Sequence, residues 1–133
     1  MPFWLEDESP SKFKKLDKNI SVDVAIIGGG IFGVTAAYVL SKQGKKVALI
    51  EQRDIASGET GRTTAHLTYI IETPYNELVD FYGKEKAAQI FKSQKEAIDQ
   101  IEEIILEEKI DCDFERLDGF LFEYEEDSSE IFK

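Results

Sequence analysis

The sequence of 133 residues has a single cysteine, Cys112, and a single histidine, His66. One cysteine excludes a disulfide within the chain, and one histidine excludes a metal site built from several histidines. A reducing, cytoplasmic location is the simplest one for such a chain. No apolar run reaches the ~18 residues that a membrane span needs. The acidic start, MPFWLEDESP, lacks the basic region and apolar core of a secretory signal.

Basic residues are fewer than acidic ones, 16 against 27, so the formal net charge is −11. Residues 1–70 are nearly balanced, with 9 basic and 8 acidic side chains, whereas residues 71–133 carry 7 basic and 19 acidic ones. The acidic half argues against nucleic acid or an anionic membrane as a partner. We interpret the surplus of negative charge as a solvated surface.

The most informative stretch runs from Val24 to Glu51 and reads VAIIGGGIFGVTAAYVLSKQGKKVALIE. An apolar run leads into the motif GxGxxG, formed by Gly28, Gly30 and Gly33. A helical pattern and a second apolar run follow, and an acidic residue closes the stretch. This order predicts a dinucleotide-binding βαβ unit, because it supplies the context that the glycine motif requires.

Each glycine of the motif has its own physical role. Gly28 permits a tight turn, Gly30 lets the backbone approach a pyrophosphate, and Gly33 lets the helix pack close to the sheet. The helix N-terminus would present unpaired N–H groups to the phosphates. Glu51 would accept hydrogen bonds from ribose hydroxyls. The alternative is a glycine-rich turn without a ligand, which the agreement of so many features disfavours.

Hydrophobic periodicity and turn residues predict the elements of the chain. They are strands at 22–27 and 46–50, helices at 31–43, 74–82 and 84–108, and a hairpin of strands 112–117 and 120–124 joined at Asp118-Gly119. Gly44 ends the first helix, Cys112 would be a small core residue, and Ser128 or Ser129 would cap a last helix. The connection 52–73 is long, and such a loop is uncommon in a compact domain unless it is functional.

The stretch from Val24 to Glu51 resembles the amino-terminal fingerprint of FAD-dependent oxidoreductases of the D-amino-acid oxidase and glycine oxidase class. The segment SGETGRTTAHL at 57–67 is similar to the second flavin-contacting stretch of that family. The string TGRTTAHLT, the PFWL start and the later DCDFERLDGFLFEYE resemble the branch whose members carry a carboxy-terminal Rieske iron–sulfur domain. A Rieske centre needs two cysteines and two histidines, so this chain holds none.

The resemblance implies FAD as the cofactor and assigns residues along its length. The pyrophosphate would meet Gly28, Gly30, Ile31, Phe32 and Gly33. Glu51 would bind the adenosine ribose, and Gln52 and Arg53 would lie around the adenine and phosphates. Ser57 and Gly58 open the second flavin-contacting stretch, Thr60 and Arg62 would follow the phosphate and ribityl path, and Thr63, Thr64, Ala65 and His66 would approach the isoalloxazine ring. Arg62 could instead pair with a surface carboxylate, and His66 could be an ordinary structural residue. No catalytic residue and no metal ligand is assigned.

We therefore predict an α/β fold with a Rossmann-type FAD-binding βαβ core, following helices and the start of a substrate-domain β-hairpin. Residues 1–20 would be a lead-in segment that docks on the domain, with Phe13 among its apolar residues. Residues 21–73 would form the FAD-binding unit and flavin-contact loop. Residues 74–133 would form an incomplete start of the substrate domain.

The predicted function is the FAD-binding amino-terminal part of an amine or amino-acid oxidoreductase that transfers hydride to the flavin. The chain alone would be inactive, and a small amine or amino-acid substrate would bind only in a complete enzyme. Self-association or a missing partner segment is expected, because two parallel strands and a hairpin make a poor independent sheet. The alternatives are an NAD-binding Rossmann module and a non-catalytic remnant that associates with another chain.

Overall fold

The computed structural model describes residues 13–120. The chain divides into two compact units, with the boundary between Ala65 and His66. Residues 13–20, the described part of the lead-in, form neither helix nor strand. Phe13 is 75% exposed there. No helix among residues 13–120 is long and apolar enough to cross a membrane.

The first unit is a parallel βαβ arrangement. Strand β1, Val24–Ile27, is followed by helix α1, Ile31–Lys42, and by strand β2, Val47–Ile50. The strands pair in parallel from Val24↔Val47 to Ile27↔Ile50. This confirms the α/β class predicted from the sequence.

Both strands begin slightly later than the apolar runs suggested, and Asp23 explains the difference. The N–H of Lys46 donates to Oδ2 of Asp23 at 2.8 Å, while the N–H of Asp23 donates to the carbonyl oxygen of Lys46 at 2.9 Å. A side chain thus replaces one backbone partner at this end of the sheet. The regular ladder begins one residue further along each chain segment.

Helix α1 ends at Lys42, and Gly44 is the glycine just beyond its end, as the sequence predicted. Gly44 has φ +79°, a left-handed conformation that glycine adopts without a steric penalty. The N–H of Gly44 donates to the carbonyl oxygen of Ser41, and the N–H of Lys45 donates to the carbonyl oxygen of Leu40. These two bonds form a Schellman motif, which satisfies carbonyls at the helix end.

The second unit contains helices α2, Tyr75–Tyr82, and α3, Lys84–Glu108. Gly83, at φ +81°, separates them. Leu78 on α2 and Ala87 on α3 are buried and mark where the two helices pack. Both helices were predicted from the sequence.

Aromatic rings extend the packing in this unit. Phe91 on α3 meets Tyr69 and Tyr75 edge-on, with ring centroids 5.4 and 5.5 Å apart. Such edge-to-face pairs add to the stabilisation gained from burial alone. The residues before α2 are thereby attached to α3.

The predicted hairpin is not confirmed: residues 112–117 form no strand. Asp113 has φ +51°, which interrupts an extended backbone. Arg116 turns back to α3 and donates to Asp99 at 2.7 Å and to Glu102 at 2.6 Å. Cys112, expected in a core, is exposed. The rest of the predicted second strand, 121–124, and the Ser128 or Ser129 cap lie outside the described residues.

Candidate functional site

The turn between β1 and α1 begins with a glycine in a conformation that other residues rarely adopt. Gly28 has φ +107°, far from the region open to residues with a side chain. Its N–H donates to the carbonyl oxygen of Ile50 at 2.8 Å. The turn therefore leaves the strand while still hydrogen-bonded to the end of β2.

Gly33 allows α1 to start close to that strand. A Cβ atom on Gly33 would overlap the carbonyl oxygen of Gly28 and would lie 3.4 Å from Cγ2 of Ile26. Any side chain at this position would force the helix away from β1. The sequence assigned this packing role to Gly33, and the geometry agrees with it.

Glu51 follows β2 and reaches back to the turn. Its Oε2 accepts a hydrogen bond from the N–H of Gly29 at 2.7 Å, and its Oε1 accepts one from the N–H of Arg53 at 2.8 Å. Both hydrogen bonds lower the pKa of the Glu51 carboxyl, and the one from Gly29 has the larger effect. The Gln52 backbone contributes to the same lowering. Because an ionised carboxylate accepts at about four sites, Glu51 still has acceptor capacity for a ligand.

Gly29 is a position of the turn that the sequence reasoning missed and that has no room for a side chain. A Cβ atom there would lie 2.5 Å from Cδ1 of Ile55 and 3.2 Å from Cβ of Glu51. Its carbonyl oxygen also accepts from the N–H of Ala56 at 2.9 Å. The signal was the run of three consecutive glycines, of which the GxGxxG pattern uses only two.

Thr60 also reaches the turn, from a short 3₁₀ helix, Glu59–Arg62, within the long connection after β2. Its Oγ1 accepts a hydrogen bond from the N–H of Ile31 at 2.9 Å. A Cβ atom on Gly30 would lie 3.2 Å from that same oxygen. The first N–H of α1 is therefore occupied, whereas those of Phe32 and Gly33 donate to no acceptor within residues 13–120.

A cavity of about 120 Å³ lies between the turn and this connection. Its walls include six of the residues predicted as cofactor contacts: Gly30, Glu51, Arg53, Ser57, Gly58 and Thr60. Gly29, Asp54, Ala56 and Glu59 complete the lining. A dinucleotide is larger than this cavity and would have to extend beyond it.

The other predicted contacts do not line this cavity. Phe32 is 85% exposed at the start of α1, and Gln52, Arg62, Thr63, Thr64 and Ala65 are exposed on either side of the lining residues. Thr63 accepts a hydrogen bond from the N–H of Ala65 at 3.3 Å. His66 belongs to the second unit. No three His, Cys, Asp or Glu side chains in the described part of the chain converge as metal ligands would.

The geometry of the turn fits the pyrophosphate of a dinucleotide. Gly29 and Gly33 leave no room for a side chain, Gly28 has a positive φ, and two N–H groups at the start of α1 are unpaired among the described residues. Unpaired N–H groups at a helix N-terminus, with the positive end of the helix dipole, suit an anionic ligand. Fold and turn together are consistent with the Rossmann-like start of an FAD-binding fold.

Comparison with known proteins identifies the family. A protein-family model, described as DAO, FAD dependent oxidoreductase, matches residues 23–132. The chain belongs to this family and corresponds to its amino-terminal region, and its cofactor is FAD. The match decides between FAD and the nicotinamide alternative in favour of FAD.

Several curated proteins are similar to the chain. The Bacillus subtilis protein YhfW, whose name refers to a Rieske 2Fe-2S iron–sulfur protein, is 36% identical over 120 residues, which are 90% of this chain and 24% of YhfW. The Haemophilus influenzae protein OrdL, named as an oxidoreductase, is 32% identical over 79% of this chain and 24% of its own length. Gamma-glutamylputrescine oxidoreductase of Escherichia coli is 29% identical over 77% of this chain and 24% of its own length.

The chain spans about a quarter of the length of these curated relatives. No solved structure matches it at a significant level. The resemblance to the D-amino-acid oxidase class, stated from the residues alone, is confirmed by the family match. The similarity to YhfW agrees with the branch inferred from the TGRTTAHLT string.

Proposed function

We propose that this chain is the FAD-binding amino-terminal part of an oxidoreductase that acts on amines or amino acids. The observation that carries the proposal is the turn from Gly28 to Gly33, held by Glu51 and Thr60, in a chain of the FAD dependent oxidoreductase family. The name of the Escherichia coli relative, which refers to a modified polyamine, supports an amine substrate. When bound, FAD supplies the capacity to accept hydride from such a substrate.

Different residues of the site contact different parts of the cofactor. The N–H groups of Phe32 and Gly33 receive the pyrophosphate, and the remaining lone pairs of Glu51 accept the ribose hydroxyls. Gln52 and Arg53 surround the adenosine half. The remaining predicted contacts lie along the path to the flavin ring: Ser57, Gly58, Thr60, Arg62, Thr63, Thr64, Ala65 and His66. No catalytic acid or base is assigned to this chain.

The substitution Gly30→Val tests the assignment of the turn. The nearest atom to a Cβ at this position is Oγ1 of Thr60, so two added methyl groups would fill the space next to the unpaired N–H groups. We expect FAD binding, measured by calorimetry, to be abolished. Gly119→Val is the matched control, because a Cβ there meets nothing within 4 Å. Unchanged FAD affinity in a folded Gly30→Val protein would show that the phosphate assignment is wrong.

A second proposal is that the sheet of this chain pairs with a further segment, either of a second copy or of a longer protein. Two observations support it: the described sheet has only two strands, and Ile27 on β1 is 88% exposed. Exposed strand edges and apolar side chains favour association. The surplus of negative charge in residues 71–133 argues against nucleic acid or an anionic membrane as the partner. The single cysteine supports a cytoplasmic location as part of this proposal.

Light scattering and an activity assay test this second proposal. We expect the 133-residue chain to have a mass above that of a monomer and to show no turnover with added FAD and a panel of amines and amino acids. A monomer that oxidises any of these compounds would contradict both expectations.

A further inference from the structure

The hydroxyl of Thr60 occupies space that a side chain at position 30 would need. Its Oγ1 lies 2.9 Å from the N of Ile31, from which it accepts a hydrogen bond. A Cβ built on Gly30 would approach that oxygen to 3.2 Å. To admit it, the hydroxyl would have to shift by a few tenths of an ångström and weaken its bond to Ile31.

The same hydroxyl keeps its proton available. A hydroxyl carries one proton and two lone pairs, and the N–H of Ile31 uses one lone pair. Thr60 donates to no acceptor among residues 13–120. It lines the cavity beside Gly30. A ligand oxygen in that cavity, next to Gly30, could accept the Thr60 proton.

We propose that Gly30 and Thr60 act as one unit in cofactor binding. The missing side chain of Gly30 admits the Thr60 hydroxyl, which accepts from Ile31 and donates its proton to the pyrophosphate of the cofactor. This inference rests on the proposed function, because it assumes that the turn binds a dinucleotide. It assigns Gly30 a partner within the protein, besides the room that the residue gives to the phosphate.

The proposal predicts that substitutions at the two positions are not additive. If Gly30→Ala acts by displacing the hydroxyl, it has nothing left to displace once Thr60→Ala has removed that group. If Gly30 only makes room for phosphate, the two losses of affinity multiply, as they do for independent sites. A double-mutant cycle separates these cases.

The experiment measures the affinity of the 133-residue chain for ADP by calorimetry and for adenosine by ligand-observed NMR. ADP carries the pyrophosphate and adenosine does not. We expect Thr60→Ala to weaken ADP binding by about tenfold, the effect of one hydrogen bond to a charged group, and to leave adenosine binding unchanged. Thr60→Ser, which keeps the hydroxyl, should bind ADP as the parent does. Thr35→Ala, an exposed threonine of α1 outside the cavity, is the matched control and should also bind ADP normally.

Gly30→Ala should weaken ADP binding by a similar factor. The ADP affinity of the double variant should be no lower than that of the single variant that binds ADP more weakly. Losses that multiply in the double variant would overturn the proposal, as would unchanged ADP affinity in Thr60→Ala or failure of Thr60→Ser to restore it. These outcomes leave the proposed function intact. A parent chain that binds neither ADP nor FAD would contradict the proposed function itself, and this inference with it.

Discussion

The carboxylate of Glu51 accepts a 2.7 Å hydrogen bond from the backbone N–H of Gly29, 22 positions earlier in the chain. This bond joins the end of β2 to the turn that leaves β1. The acidic residue of the sequence motif therefore shapes the phosphate turn, besides having lone pairs left for a ribose. Two roles for one carboxylate lead to separate predictions for ligand affinity and for pH dependence.

Replacing Glu51 with alanine should weaken FAD binding by at least tenfold. The variant loses the acceptor of the Gly29 N–H and the ionised group that we propose as the acceptor for the ribose hydroxyls. Riboflavin lacks the adenosine half, so parent and variant should bind it alike. Calorimetric titration with both ligands tests this. Equal FAD affinity in the two proteins would rule out the adenosine role of Glu51.

The pH dependence of stability should differ between the parent and Glu51→Gln. The hydrogen bonds from Gly29 and Arg53 lower the pKa of Glu51 in the folded protein. A carboxyl with a lowered pKa stabilises the fold above its unfolded pKa of about 4.3, and this contribution is lost as the pH falls through the folded pKa. The urea midpoint of the parent should therefore fall more steeply below about pH 4.3 than that of the variant. Parallel curves would contradict the assignment.

Gly33→Ala should destabilise the first unit by about 1–3 kcal/mol or more, the cost of overpacking a tight site. Its Cβ would overlap the carbonyl oxygen of Gly28, and a backbone atom cannot swing away as a side chain can. Denaturant unfolding measures the change. Gly119→Ala is the control, since a Cβ there has no neighbour within 4 Å. Similar midpoints for the two variants would show that α1 and β1 are not closely packed at Gly33.

In the second unit, Phe91→Leu should reduce stability by about 1–2 kcal/mol, because leucine cannot form the two edge-to-face ring pairs of Phe91. Phe120→Leu is the comparison, since Phe120 is largely exposed. The free energies of unfolding of both variants, measured in urea, provide the test. Equal losses would mean that the ring pairs contribute nothing specific.

Much of the first unit followed from the sequence because its signals are local. The strand runs, Gly28, Gly33 and Gly44 each reflect a requirement of the backbone at that position. Helix α1 was predicted at 31–43 and is found at Ile31–Lys42. The glycine motif therefore predicted both the turn and the class of ligand.

The contacts that complete the site were not predictable, because they join distant residues through an irregular segment. Thr60 and Ile31 are 29 positions apart, and no periodic pattern relates them. The failure of the predicted strand at 112–117 has a similar origin. Arg116 pairs with two carboxylates of α3, and a pattern of alternating residues does not indicate such an interaction.

Whether this chain binds FAD is tested most directly by identifying the nucleotide that it carries. The purified chain, loaded with FAD and freed of unbound ligand, is denatured, and the released compound is identified by chromatography and absorbance. We expect FAD at up to one equivalent per chain, and markedly less from Gly30→Val. A parallel sample is loaded with a mixture of FAD and NAD. Release of NAD from that sample, or absence of flavin from the sample loaded with FAD, would contradict FAD binding.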